Sequence, residues 1–166
     1  MNVQQALFAT GQMRLEWCHT EELDRWIGQR HYLGDPPCGA RLRLWVLSEQ
    51  GERIGAMMWA RPTARRPFDG GRMMELTRMY IIDDTLPFVE SKALGMARKV
   101  IRKHFPEIKG LMAYSSHQQG HVGTIYLADG WFVVSNTAGG ASWNNNQRIG
   151  RVDKDTGRKI LWVRSP

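Results

Sequence analysis

Cysteine is scarce: the 166 residues include only Cys18 and Cys38. With no CxxC spacing and no further thiols, the pair makes neither a disulfide framework nor a structural zinc site, and both read as free thiols. Long apolar runs are missing too. No window approaches the roughly 18 consecutive apolar residues that a membrane-spanning helix needs, which excludes such a span. Met1 to Thr10 lack the charged start, apolar stretch and cleavage site of a secretory signal, so the chain reads as mature and intracellular. There is no HExxH, no Cys/His pairing at zinc spacing, no GxGxxG and no Walker loop. A metal would therefore need ligands from distant segments, and nucleotide hydrolysis is disfavoured.

What is present is apolar content and positive charge. At 42% hydrophobic with seven tryptophans, the chain fits one compact domain, residues 1–166, with a buried core. The net charge is +7, and 17 of the 23 basic residues are arginine, the side chain suited to bidentate phosphate contacts. The excess lies in residues 41–80, 96–109 and 147–166. If these segments converge on one face, they favour a polyanionic partner, nucleic acid first. The alternative is that a high isoelectric point only confers solubility.

Thr20 followed by Glu21, Glu22 and Asp24 predicts a helix start, with Leu23, Trp26 and Ile27 as its buried stripe and Gly34-Asp35-Pro36-Pro37 as its stop. Residues 41–47 and 53–59 predict a hairpin around Glu49-Gln50-Gly51-Glu52. The segment 61–72 carries Arg61, Arg65, Arg66 and Arg72 among prolines and glycines and reads as a loop able to clamp a phosphate backbone. A strand is expected over 73–82, a helix over 90–104 with a basic outer face, a strand over 111–114, a helix over 121–128 and strands over 131–135 and 159–163. This order predicts an α+β domain with a mixed sheet, in which the strands around 73–82 and 111–114 run parallel.

The densest polar cluster runs from Tyr114, Ser115 and Ser116 through His121 to Tyr126, at a strand-to-helix junction where backbone N–H groups, hydroxyls and imidazoles gather. Structural alternatives stand beside it: Ser116 or Thr124 as a helix cap, Tyr126 in the core, His121 merely exposed. His31-Tyr32 is the second candidate, as base, metal ligand or stacking pair, against simple dipole complementarity at a helix end. Glu75 and Arg78 are the third. Three positions apart on a strand, they are expected on opposite faces, with Arg78 free to bind phosphate or Glu75 to take a proton.

Arg30-His31-Tyr32-Leu33-Gly34, Glu75-Leu76-Thr77-Arg78, Glu90-Ser91 and the run Gly120-His121-Val122-Gly123-Thr124-Ile125-Tyr126 through Trp131 together resemble the Mom family of bacteriophage DNA-modification proteins. The resemblance covers roughly residues 25–135, and the GHxGTIY run is its most specific part. It implies a fold similar to the GNAT acyltransferases, with a mostly antiparallel sheet and helices on both faces. It also implies conversion of adenine in DNA to a carbamoylmethylated form that protects phage DNA from restriction in the bacterial host cytoplasm. Double-stranded DNA is then the expected partner, held by Arg61, Arg65, Arg66, Arg72, Arg148 and Arg151, with no membrane involved.

A flipped base would stack on Tyr32, Tyr114 or Tyr126, with His31 or His121 accepting the amino proton and Ser115 and Ser116 orienting the donor. Arg78, Ser91 and Lys92 are the expected cofactor contacts. The resemblance further implies iron, with His31 as the ligand. Acyltransferases of this kind hold coenzyme A pyrophosphate on a glycine-rich turn. Here the turn reads Thr85-Leu86-Pro87-Phe88-Val89-Glu90-Ser91, without glycine and with a carboxylate that opposes pyrophosphate, which argues against acetyl-coenzyme A. Ser116 also stands where the family commonly has an acidic residue. Two rival functions are an ordinary GNAT-like N-acyltransferase acting on a small amine or a protein, and a non-catalytic DNA-binding module.

Overall fold

A computed structural model describes residues 8–9, 13–34, 36, 39–64, 69–83, 85, 87–116, 123–137 and 157–166. Its elements in chain order are β1 (Phe8–Ala9), β2 (Met13–Trp17), α1 (Glu22–Gly28), β3 (Leu42–Ser48), β4 (Arg53–Ala60), β5 (Met73–Ile81), α2 (Val89–His104), β6 (Gly110–Ser116), α3 (Thr124–Ala128), β7 (Phe132–Thr137) and β8 (Lys159–Arg164). The strands form one sheet in the order β1-β2-β3-β4-β5-β6-β8-β7. Among the described residues only β5 and β6 pair in parallel, joined through α2, and every other neighbouring pair is antiparallel. The fold is thus the expected α+β architecture with a mostly antiparallel sheet.

The alternation of each strand sends its apolar residues to two cores. Leu15, Leu44, Met57, Trp59, Met74, Leu76, Leu111 and Ala113 pack against Ala93, Leu94, Ala97, Val100 and Ile101 of α2. The other face carries Trp45, Leu47, Ala56 and Met58 beneath Leu23 and Ile27 of α1, with Trp26 and Tyr80 at the margin. Each fully buried leucine, isoleucine, valine or methionine among them stabilises the fold by about 1.5–3 kcal/mol. Cys18 is free and buried in the smaller core; Cys38 lies outside the described residues. Among the described residues no helix is long and apolar enough to cross a membrane.

Several boundaries differ from the sequence reading. The helix α1 begins at Glu22 with Glu21 as its cap, and Thr20 Oγ1 accepts the Glu22 N–H at 3.4 Å. It ends at Gly28, so His31 and Tyr32 lie in the turns beyond it instead of in its last turn. The strands β1 and β2 were not expected, although Met13, Leu15 and Trp17 alternate with Arg14 and Glu16. The helix α3 starts at Thr124 rather than 121, after Gly123 in the left-handed conformation.

Candidate functional site

The hydrogen-bonded register between β5 and β6 covers only Met73–Leu76 against Gly110–Ala113. The strand β5 continues to Ile81, while β6 continues to Ser116 paired with β8. Their carboxyl ends therefore separate, and such a gap at the ends of parallel strands is where open sheets receive ligands.

A bulge decides what faces this gap. Ala60 pairs with Glu75 and Trp59 with Leu76, but Met58 pairs with Arg78, so Thr77 is the extra residue on β5. Its hydroxyl donates to the Met58 carbonyl across the bulge at 3.2 Å. The extra residue resets the alternation: Met74 and Leu76 point to the α2 side, and beyond the bulge Met79 and Ile81 do so. Glu75 and Arg78 consequently share the α1 face. The simple two-residue period placed them on opposite faces and is corrected here.

Glu75 is buried, and its carboxylate accepts the Thr63 N–H at 2.7 Å (Oε2) and the Thr63 hydroxyl at 3.0 Å (Oε2) and 3.2 Å (Oε1). Burial pushes its carboxyl above the usual glutamate range, and the Thr63 hydrogen bonds and the charges of Arg78 and Lys159 offset only part of this. Arg78 donates from Nη1 to the Thr77 carbonyl at 2.7 Å. Burial lowers its proton affinity, opposed by Tyr32 and Glu75. Lys159 stands opposite Ser116 in the β6–β8 register. The gap is thus lined on the α1 side by a buried carboxylate and two cations. Thr63 escaped the sequence reading because nothing local marks a contact spanning 12 positions.

The two serines part company. Ser115 Oγ accepts the Trp162 Nε1–H at 2.9 Å, and Trp162 belongs to the α2-side core, so Ser115 is a structural acceptor and not a donor-orienting hydroxyl. Ser116 lies on the opposite face of β6 with Tyr114, and its buried Oγ has no hydrogen-bond partner among the described residues. Tyr126 is not available for base stacking. Its ring stacks on Trp162 at 5.7 Å and meets Trp131 edge-on at 5.4 Å. Burial, followed by the charges of Tyr32 and Glu75, raises its phenol well above the ordinary tyrosine value.

Local geometry explains the glycine that opens α3. Gly123 has φ 82°, and a Cβ there would sit 2.2 Å from Trp162 Cζ2, so only glycine fits both the backbone and the packing. The far end of α3 is held by Asp129, which accepts from Arg98 Nε and Nη2, both at 2.8 Å, and from Trp131 Nε1 at 2.8 Å. The sequence offered no sign of this link across 31 positions.

His31 and Tyr32 stack on each other at 4.6 Å, and Tyr32 is 44% exposed. His31 Nδ1 accepts the Leu33 N–H at 3.2 Å. The neutral ring then carries its proton on Nε2, which makes His31 a donor there and corrects its expected role as proton acceptor. For iron, the described residues contain no group of three His, Cys, Asp or Glu able to hold a metal ion. His121 lies outside the described residues. At the start of α2, Phe88 adopts a left-handed φ of 67° without glycine, Ser91 Oγ donates to the Phe88 carbonyl at 3.1 Å, and Glu90 occupies the first turn. The Glu90 carboxylate in that turn opposes an anionic pyrophosphate. Lys92 is exposed in the same turn, whereas Arg78 faces away from α2.

Arg61 and Arg72 are exposed at the two ends of the segment 61–72. Arg65, Arg66, Arg148 and Arg151 lie outside the described residues. The basic segments do not all converge: α2 packs on the face opposite Glu75 and Arg78, so exposed Lys92, Lys99, Arg102 and Lys103 sit across the sheet from the gap.

Comparison with known proteins places this geometry. The methylcarbamoylase Mom of Escherichia phage Mu is 28% identical over 117 residues, covering 65% of this chain and 47% of that protein. The chain therefore spans about half the length of that relative. Among solved structures, the ribosomal-protein-S5-alanine acetyltransferase of Vibrio fischeri superposes with a TM-score of 0.64 at 10% identity, covering 95% of each chain. An aminoglycoside acetyltransferase in complex with coenzyme A gives 0.55 at 10% identity, over 75% of this chain and 65% of that one. The fold is thus that of the GNAT acetyltransferases. Residues 12–157 match the Mom protein family, and the chain belongs to that family.

Proposed function

We propose that this chain is a DNA-modifying transferase that adds a carbamoylmethyl-type group to the N6 amino group of adenine in DNA, protecting phage DNA from restriction in the bacterial host cytoplasm. The observation that carries this reading is the polar cluster of buried Glu75, half-buried Arg78 and exposed Tyr32 at the strand gap of a Mom-family chain. Such chemistry requires a base extruded from the duplex into a pocket with an aromatic platform and polar groups on its edges. Tyr32, exposed and backed by His31, is the stacking surface. His31 Nε2–H offers a donor to a ring nitrogen of adenine, and the proton acceptor for the amino group falls to His121. Tyr114 and Ser116 line the same face, and Arg78 and Lys159 supply positive potential. Arg61, Arg72 and the other arginines of the basic segments grip the phosphates of double-stranded DNA.

Mass spectrometry of nucleosides digested from the DNA of cells expressing the chain, beside a His31→Ala control, tests this. A heavier adenine derivative present only with the unaltered protein supports the reading, and its mass difference names the added group. Unaltered nucleosides with a folded protein overturn it.

One rival reading is supported by the fold itself, which is that of acetyltransferases. An N-acyltransferase acting on a small amine or a protein binds acetyl-coenzyme A saturably without DNA. Glu90 in the first turn of α2 predicts weak binding.

A further inference from the structure

Phe88 is held in a conformation that its own side chain opposes. Among the described residues it is the one non-glycine position with a positive φ, 67°, and a bulky residue in that left-handed region is strained. Two hydrogen bonds fix it there, since its carbonyl accepts the Lys92 N–H at 3.0 Å and the Ser91 hydroxyl at 3.1 Å. Burial does not explain the residue either, because the side chain is 69% exposed. Glycine or asparagine would suit this backbone better, so neither local conformation nor the core accounts for an aromatic ring here. Strain that persists without a packing reason clusters where ligands are met.

The position of the ring says which ligand. Phe88 ends the connection from β5 to α2, and the next residue, Val89, is buried in the α2-side core against which Met79 and Ile81 of β5 also pack. The ring therefore stands on the α2 side at the carboxyl end of β5, the end where β5 and β6 part. Tyr32, close enough to act on the Arg78 charge and 44% exposed, borders the same opening from the α1 side. Glu90 in the first turn of α2 disfavours a phosphate beside it, and a phenyl ring has no hydrogen-bonding group with which to read a base edge. What suits it is the flat face of a base.

We propose that Phe88 is a wedge: as the target adenine leaves the duplex for the gap, the Phe88 ring enters the stack and takes the place of the missing base. This rests on the proposed function and names the residue that holds the duplex open. Extruding a paired base forfeits its stacking and pairing, and apolar side chains that enter base steps recover part of that loss. The two bonds to its carbonyl set the ring outward before DNA arrives, so little ordering is left to be done on binding.

The experiment compares full-length Phe88→Asn, which tolerates the left-handed backbone but lacks the ring, and Phe88→Tyr, which keeps the ring, with the unaltered protein. Initial rates of nucleoside modification are measured in lysate of the expressing cells, which supplies the donor, on two nuclease-protected duplex oligonucleotides. One holds adenine opposite thymine and the other holds the same adenine opposite an abasic site, where extrusion costs less. Phe88→Asn should lose about tenfold or more on the paired adenine, the scale of one base-aromatic stack, and stay within about threefold on the unpaired one. Phe88→Tyr should stay within about threefold on both. The melting temperature of Phe88→Asn should not fall, because the backbone strain is relieved. An equal loss on the two duplexes overturns the wedge, since the ring would then act on the donor or the reacting atoms, and no loss on either overturns it as well. A melting temperature lower by about 4 °C or more overturns it by making the ring structural. If the unaltered protein, shown to be folded, modifies neither duplex, the proposed function fails and the wedge falls with it.

Discussion

Glu75 and Arg78 stand three residues apart on one strand yet present their side chains to the same face, because Thr77 is bulged out of the pairing with β4. The bulge converts an ordinary half-buried strand into one wall of a polar gap. A carboxylate and a guanidinium, each partly desolvated, are held where the parallel strands part.

The buried carboxylate makes stability depend on pH in a defined direction. Because the folded state holds the Glu75 proton more tightly than the unfolded chain, it binds more protons between the ordinary value near 4.5 and its own raised value. Stability contributed by this group is therefore lost as pH rises through that window. Urea unfolding across acidic pH should show Glu75→Gln gaining relative to the unaltered protein as pH rises above 4.5. A difference that stays constant with pH contradicts the assignment.

Gly123 is constrained by both backbone and packing. Gly123→Ala must hold φ 82° and place a methyl 2.2 Å from the Trp162 ring. We expect a loss of about 3 kcal/mol, the upper range of overpacking, together with a shifted tryptophan emission. Gly39 is the control, with φ 88° but nothing within 4 Å: Gly39→Ala should cost only about 1 kcal/mol for the strained backbone. Equal losses in thermal or urea unfolding would mean that the Trp162 contact is unimportant.

Asp129 ties α3 to α2 in a site where the side chains of Arg98 and Asp129 are 14% and 7% exposed. Asp129→Ala leaves a buried guanidinium and the Trp131 Nε1–H without this acceptor, and should cost about 3–5 kcal/mol. Arg98→Met combined with Asp129→Ala should cost less than the single Asp129 change, because no charge is then stranded. Additive losses in the double variant contradict this account.

Arg61 and Arg72 are exposed at the two ends of the segment 61–72, next to the start of β5. If each contacts one phosphate, Arg61→Ala and Arg72→Ala should each reduce the slope of log affinity against log salt by about 1 for duplex DNA. A salt slope that neither change alters removes this segment from the DNA interface.

Much of the fold was legible because periodicity and punctuation agree along the chain. The hairpin β3–β4, the helix α2 and the parallel pair β5–β6 all follow from alternation, helical spacing and the prolines that end them. The strand β2 was legible in principle, since Met13, Leu15 and Trp17 alternate. The site was legible only in part. His31, Tyr32, Tyr114, Ser116 and Arg78 were named from motif density and resemblance. What decides their roles is mostly non-local: the one-residue bulge at Thr77 against β4, the bond from Thr63 to Glu75, and the Trp162 that occupies Ser115. None of these leaves a trace in local composition.

Under the proposed function, the β5–β6 gap, and not the basic face of α2 across the sheet, is where adenine is modified. Nucleosides from DNA of cells expressing Arg78→Ala should lack the heavier adenine derivative, while those from cells expressing Lys99→Ala, changed on the exposed face of α2, should contain it at the unaltered level. Modification that survives in folded Arg78→Ala would contradict the account.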